Sequence, residues 1–201
     1  MHAAQGGVGL LLGQQARKAL LKAKPSSQRI MIAEFDGNPK TTVIVVYAPT
    51  NCADEEEIER FYDDLRNALE DVPAHNFLAV MGDFNARLGP EDAPFTLHKA
   101  TIGNGKYLAD LFVEFDLVAA NTQFQKRPGK LWTFKDRATD STRQLDYILI
   151  RKKWRNSIHN SEAYNIFNTV GSDLISGLWR ECYMRDFKLK IPDFFQRGYL
   201  K

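Results

Sequence analysis

An α/β fold, built as a sandwich of mixed sheets with helices packed against them, follows from three features of the chain. Short runs rich in β-branched residues, such as Thr41-Thr42-Val43-Ile44-Val45-Val46-Tyr47, recur along it and read as strands. Turn chemistry suited to hairpins joins some of them, most clearly Asp36-Gly37-Asn38-Pro39-Lys40. Segments with apolar residues at helical spacing stand between others, and this order argues against a doubly wound parallel sheet. A length of 201 residues suffices for one sizeable core and predicts a single domain.

Taken in order, Val8 to Leu12 reads as a strand, and Gln14 to Lys24 as a short basic helix ended by Pro25. Val8–Leu12 lacks the basic flank and small-residue cleavage site of a signal peptide. Arg29 to Phe35 and Thr41 to Tyr47 form the expected hairpin. Asp54-Glu55-Glu56-Glu57 then precedes Ile58, Phe61, Tyr62, Leu65, Ala68 and Leu69 at helical spacing. Carboxylates in a first turn complement the helix dipole, so the acidic run predicts a helix start and not a metal site. Phe77 to Met81 is a buried strand running into Gly82. Asn104 is the expected N-cap of a helix carrying Leu108, Leu111, Phe112 and Phe115. Leu117 to Ala120, Leu131 to Phe134 and Leu145 to Ile150 are further strands, the last two around a polar loop from Lys135 to Arg143.

Composition narrows the function classes only broadly. The chain is 44% apolar, 26% charged and 11% aromatic, as expected of a soluble globular protein. Its net charge of +2 is too mild to announce a nucleic-acid partner. No apolar stretch approaches the length a bilayer requires, so no membrane partner is expected. Cys52 and Cys182 fit no zinc or redox spacing and read as free thiols of a reducing, intracellular compartment. His2, His75, His98 and His159 form no ligand pair, and Arg151-Lys152-Lys153 reads equally as a weak import cluster or a solvated helix start.

Four sites share one pattern, an apolar strand with a polar residue at or just beyond its end. They are Tyr47 in Tyr-Ala-Pro-Thr, Asp83 with Asn85 in Gly-Asp-Phe-Asn-Ala, Asp146 in Leu-Asp-Tyr, and Asp173 in Gly-Ser-Asp. Alternation along a strand would point Asp83 and Asn85 one way and Phe84 into the core. Strands sharing a sheet would bring these residues to one rim, where a pocket needs convergent polar groups. Each has a plainer reading as well: Tyr47 as a core aromatic, Asp83 and Asn85 as turn residues, Asp146 as a turn cap, Asp173 as a loop residue.

In order and wording these motifs resemble those of the endonuclease/exonuclease/phosphatase superfamily. Asn104-Gly105-Lys106 through Phe115, Asn121-Thr122-Gln123-Phe124 and Trp132-Thr133 further resemble the endonuclease domains of LINE-type (non-LTR) retrotransposons and craniofacial development protein 2-like sequences. The resemblance covers roughly residues 5 to 173. It implies a two-sheet, four-layer sandwich flanked by helices and a Mg²⁺- or Mn²⁺-dependent phosphodiesterase that nicks DNA with a water nucleophile. Such hydrolysis needs a cation on the developing charge and an oriented water, and Mg²⁺ takes only one or two carboxylates. By motif match, Asp83 orients or deprotonates the water, and Asn85 holds it or a phosphate oxygen. Tyr47 hydrogen-bonds the phosphate, Asp173 helps bind the metal, and Asp146 orients a histidine after the Ser-Asp pair.

The sequence departs from that pattern in two places. Position 174, where the histidine belongs, is Leu, giving Ser172-Asp173-Leu174-Ile175. The family's opening strands, with an Asn and a metal-binding Glu, have no counterpart, and Glu34 lies in the wrong motif to replace that Glu. The expectation is thus a partial domain over residues 1–177, incomplete at both termini, followed by a divergent tail over 178–201, in which foreign or out-of-frame sequence is preferred to a stacking surface for nucleic acid. A retroelement-type endonuclease fragment, weak or inactive, ranks first. A non-catalytic DNA- or protein-binding remnant comes second, and a phosphoinositide or sphingolipid phosphodiesterase last. Family activity on chromosomal DNA makes nuclear entry an open expectation.

Overall fold

A computed structural model describes residues 7–136, 138–164 and 178–179. The chain enters through α1 (Gln14–Ala19), β1 (Leu20–Ser27), β2 (Ile30–Phe35) and β3 (Thr41–Tyr47). Helix α2 (Glu55–Glu70) carries it to β4 (Phe77–Asp83), which lies parallel to β3. That parallel pair needs the crossover α2 supplies. A long loop then leads to α3 (Gly105–Glu114), β5 (Leu117–Ala119), and the short pair β6 (Phe134–Lys135) and β7 (Thr142–Arg143). Strand β8 (Asp146–Arg151) follows, and the two-residue strands β9 (Ala163–Tyr164) and β10 (Leu178–Trp179) pair with each other.

The main sheet has six strands in the order β1-β2-β3-β4-β8-β5, antiparallel at every neighbour except β3–β4. The fold is therefore mixed α/β, as the sequence predicts. Beyond this sheet, the paired strands among the described residues are β6–β7 and β9–β10.

Strand alternation sorts the core into two layers. Ile30, Ile32, Ile44, Val46, Leu78 and Val80 face α2 and α3 and join Phe61, Tyr62, Leu65, Leu108 and Leu111. Ala33, Val43, Val45, Phe77, Ala79, Met81, Ile148 and Ile150 face the other way and join Ala16 and Ile158. Helix α2 begins after Asp54 with Glu55, Glu56 and Glu57 in its first turn, and it buries all six of the expected apolar positions.

Three local expectations are corrected. The helix expected over Gln14–Lys24 stops at Ala19, and Leu20 onward forms β1 against β2. Pro25 does not end a helix; it sits in an edge strand next to a register shift, where its missing N–H breaks no inner ladder. Val8 to Leu12 is not a strand. It keeps a strand-like alternation, with Val8, Leu10 and Leu12 packed on the second core layer, but has no ladder partner among the described residues. The strand expected at Leu131–Phe134 begins only at Phe134 and pairs inside the segment read as a polar loop. Just before it, Thr133 N donates to Arg143 O at 2.8 Å, and the Thr133 side chain accepts from the backbone at the entry to β8.

Candidate active site

Register decides which polar residues meet. Tyr47 is the Cα partner of Asp83 across β3–β4, and Asp83 is the partner of Asp146 across β4–β8. Alternation places Tyr47 with Val43 and Val45, Asp83 with Ala79 and Met81, and Asp146 with Ile148 and Ile150, all on one face. With strands about 4.8 Å apart, the three residues form a row about 10 Å long at one end of the sheet. Arg29 flanks the row beside Tyr47. Its carbonyl accepts from Tyr47 N at 3.0 Å, its guanidinium lies 5.5 Å from the Tyr47 ring centre, and it is paired with Glu57 at 2.6 Å.

Asp83 is 2% exposed, and its Oδ1 accepts from Asn85 N at 2.7 Å. Asn85 does not continue the strand alternation. Its φ of 46° lies in the left-handed region, which Asn tolerates better than most residues. Its Nδ2 donates to Ala48 O at 2.8 Å, and its own carbonyl accepts from Asn51 Nδ2 at 3.1 Å. Asn51 Oδ1 in turn accepts from Asn104 N at 2.8 Å, so one side chain ties the loop after β3 to the loop after β4 and to the start of α3. The Asn104 side chain makes no cap bond; it donates to Pro49 O at 2.9 Å.

Asp146 is half-buried, and burial pushes its carboxyl up to about 7, with a hydrogen bond to Thr133 opposing the rise. Thr133 Oγ1 accepts from Leu145 N at 3.0 Å and from Asp146 N at 3.1 Å. Asn121 grips β8 from the other side, donating to Asp146 O at 3.2 Å and accepting from Ile148 N at 3.2 Å. Sequence reasoning did not single out Thr133, Asn121 or Asn51 as site residues. Thr133 and Asn121 had one signal, membership of the segments that carry the resemblance; Asn51, just past Tyr47–Thr50, had none. Asp173 and Leu174 lie outside the described residues. Glu34 sits toward the opposite end of the sheet, paired with Thr42, with alternation placing it on the other face.

The row offers hard oxygen donors and no soft ones. Two carboxylates in register on one face repel each other unless a proton or cation intervenes, and Mg²⁺ and Mn²⁺ favour such oxygen donors. Among the described residues no group of three or more His, Cys, Asp or Glu is arranged to hold a metal ion.

The Endonuclease/Exonuclease/phosphatase family model matches residues 18–162. The chain belongs to this family. Craniofacial development protein 2 of Bos taurus is 33% identical over 164 residues, covering 79% of this chain and 28% of that protein. The Tragulus javanicus form matches at the same identity, covering 29% of its own length. The chain thus spans less than a third of these relatives. Among solved structures, the endonuclease domain of TRAS1, a telomere-specific non-LTR retrotransposon, superposes with a TM-score of 0.57 at 15% identity. That match covers 77% of this chain and 65% of the domain. A Neisseria 3′ phosphatase bound to product DNA hairpin gives 0.56 at 16% identity, covering 74% and 62%. These likenesses show the family fold, whose members include nucleases of the metal-dependent class. No helix among the described residues is long and apolar enough to cross a membrane.

Proposed function

We propose that the chain carries the catalytic rim of a DNA-nicking phosphodiesterase of the retroelement type, with weak turnover. The observation that carries the reading is the Tyr47–Asp83–Asp146 row, three polar residues in register at the ends of adjacent strands. Its likeness to a retrotransposon endonuclease domain and to a DNA-bound phosphatase supports DNA as the substrate.

In this reading the Asp83 carboxylate, held by the Asn85 N–H, accepts a proton from the attacking water. Asn85 has committed one amide proton to Ala48, which leaves its Oδ1 to hold that water in line. The Tyr47 hydroxyl donates to a phosphate oxygen. By motif match, Asp173 is the proposed metal ligand. A bound Mg²⁺ or Mn²⁺ supplies charge neutralisation at the phosphate. Leu174 supplies no imidazole for Asp146 to orient, and losing a positioned acid or base costs about 10²–10⁴ in rate.

Nicking of supercoiled plasmid by the wild-type chain and by Leu174→His tests this. The expected result is slow Mg²⁺-dependent nicking, about 10²-fold faster in Leu174→His and absent with EDTA. Equal rates in both forms, indistinguishable from the EDTA control, would leave a non-catalytic remnant as the reading.

A further inference from the structure

Basic side chains gather beside the rim with no acid paired to them. Arg87 follows Asn85 in the loop after β4, and Arg143 precedes Asp146 on β7. Neither guanidinium enters an ion pair among the described residues. Arg87 Nε is buried without a hydrogen-bond partner, and the Arg143 guanidinium rests 5.7 Å from the Phe134 ring centre. The two charges share one neighbourhood: Tyr147 Oη accepts from Leu88 N at 3.3 Å and donates to Gln144 O at 3.1 Å, joining the residues that follow the two arginines, and burial together with the Arg143 charge disfavours the charge on Arg87. Asp136 feels Arg143 only as the weakest of its influences and is occupied by the backbone N–H groups of Ala138 and Thr139.

Gln144 sits inside this cluster at 1% exposure. His98 Nε2 lies 3.0 Å from Gln144 O and 3.2 Å from Gln144 N, and its tautomer decides which of the two it bonds. Gln144 Oε1 accepts from Leu97 N at 3.1 Å, which orients the amide, while the nearby Thr96 hydroxyl directs its proton to Leu88 O at 2.7 Å. Its Nε2 is then a buried donor with no acceptor. Buried donors are nearly always satisfied in folded proteins, so two in one neighbourhood, with two guanidinium charges, call for an explanation. The cluster is rich in donors and poor in acceptors, which suits a tetrahedral oxyanion. Arginine is the side chain best matched to phosphate.

We propose that Arg87 and Arg143, flanking the buried Gln144, form a subsite for a backbone phosphate of the nucleic-acid strand, next to the phosphodiester held by the Tyr47–Asp83–Asp146 row. The inference rests on the reading of that row as a DNA site. Arg143 and Gln144 lead directly into Asp146, and Arg87 leaves the Asp83–Asn85 turn, so a phosphate held here sets the register of the strand over the rim.

The test is fluorescence anisotropy of a labelled 20-base-pair duplex with EDTA present, across a salt series. Wild type is compared with Arg87→Gln, Arg143→Gln and Lys152→Gln, the last at the far end of β8. Each arginine variant is expected to bind about tenfold more weakly and to lose about 0.9 from the slope of log K against log salt. Lys152→Gln is expected to keep the wild-type slope. Arg143, partly exposed on a two-residue strand, keeps the test valid if Arg87→Gln fails to fold. Wild-type affinity and slope in the folded arginine variants would overturn the subsite while leaving DNA binding intact. A second arm compares thermal melts in inorganic phosphate and in chloride at matched ionic strength. Phosphate that stabilises wild type but not Arg143→Gln, without duplex binding, would keep the oxyanion subsite and remove the DNA reading. No phosphate effect and no duplex binding would overturn both.

Discussion

Asp146 carries the clearest electrostatic signature of the rim. An ordinary aspartate ionises near 3.8, whereas burial holds this one protonated up to about 7. Between those values the folded chain binds a proton that the unfolded chain has released. The associated stability is therefore full below about pH 4 and is lost as pH rises through about 7. Urea denaturation at about pH 5 and about pH 8 checks this: wild type is expected to lose stability on going to the higher pH, and Asp146→Asn is expected to lose less. Parallel losses would mean that the proton sits elsewhere. Asp146, Asp83 and Tyr47 were legible in the sequence because each ends an apolar strand in a recognisable motif. Thr133 and Asn121 were not, because both act by holding the backbone of β8, and a side-chain bond to a distant strand leaves no local pattern.

At the scale of elements, the β4 end shows how tightly the rim is built. Gly82 has a φ of +152°, and a Cβ there would overlap the Val46 carbonyl oxygen of the neighbouring parallel strand. Gly82→Ala is expected to destabilise the fold by about 3 kcal/mol, in the upper part of the range for overpacking, as read by urea denaturation. A neutral result would show that β3 yields easily there, and with it the placement of Tyr47 beside Asp83. Strands β2, β3, β4 and β8 were readable because their apolar runs agree with their burial. Strand β1 was not: Leu20–Ser27 is exposed over most of its length. Its polar composition and Pro25 resemble a helix end, and only pairing to β2 makes it a strand. Asn85 misled in the opposite sense. Alternation was carried one step too far, past the point where a positive φ ends the strand.

At the largest scale, the six-stranded sheet, with a core layer on each face, turns separate strand ends into one rim. The mixed α/β class was legible from the order of hairpins and helices. The alignment of the rim was not, since a one-residue slip in register would have sent each polar residue to the other face. Family membership rests on the match over residues 18–162, while catalysis by this rim is the claim still to be measured. The most direct measurement is plasmid nicking with Mg²⁺ by Asp83→Ala, beside Asp36→Ala, an exposed acid just beyond the opposite end of β2. The account predicts that Asp83→Ala falls at least about 10²-fold, to the EDTA baseline, while Asp36→Ala keeps the wild-type rate. Mg²⁺-dependent nicking that survives in Asp83→Ala would contradict it.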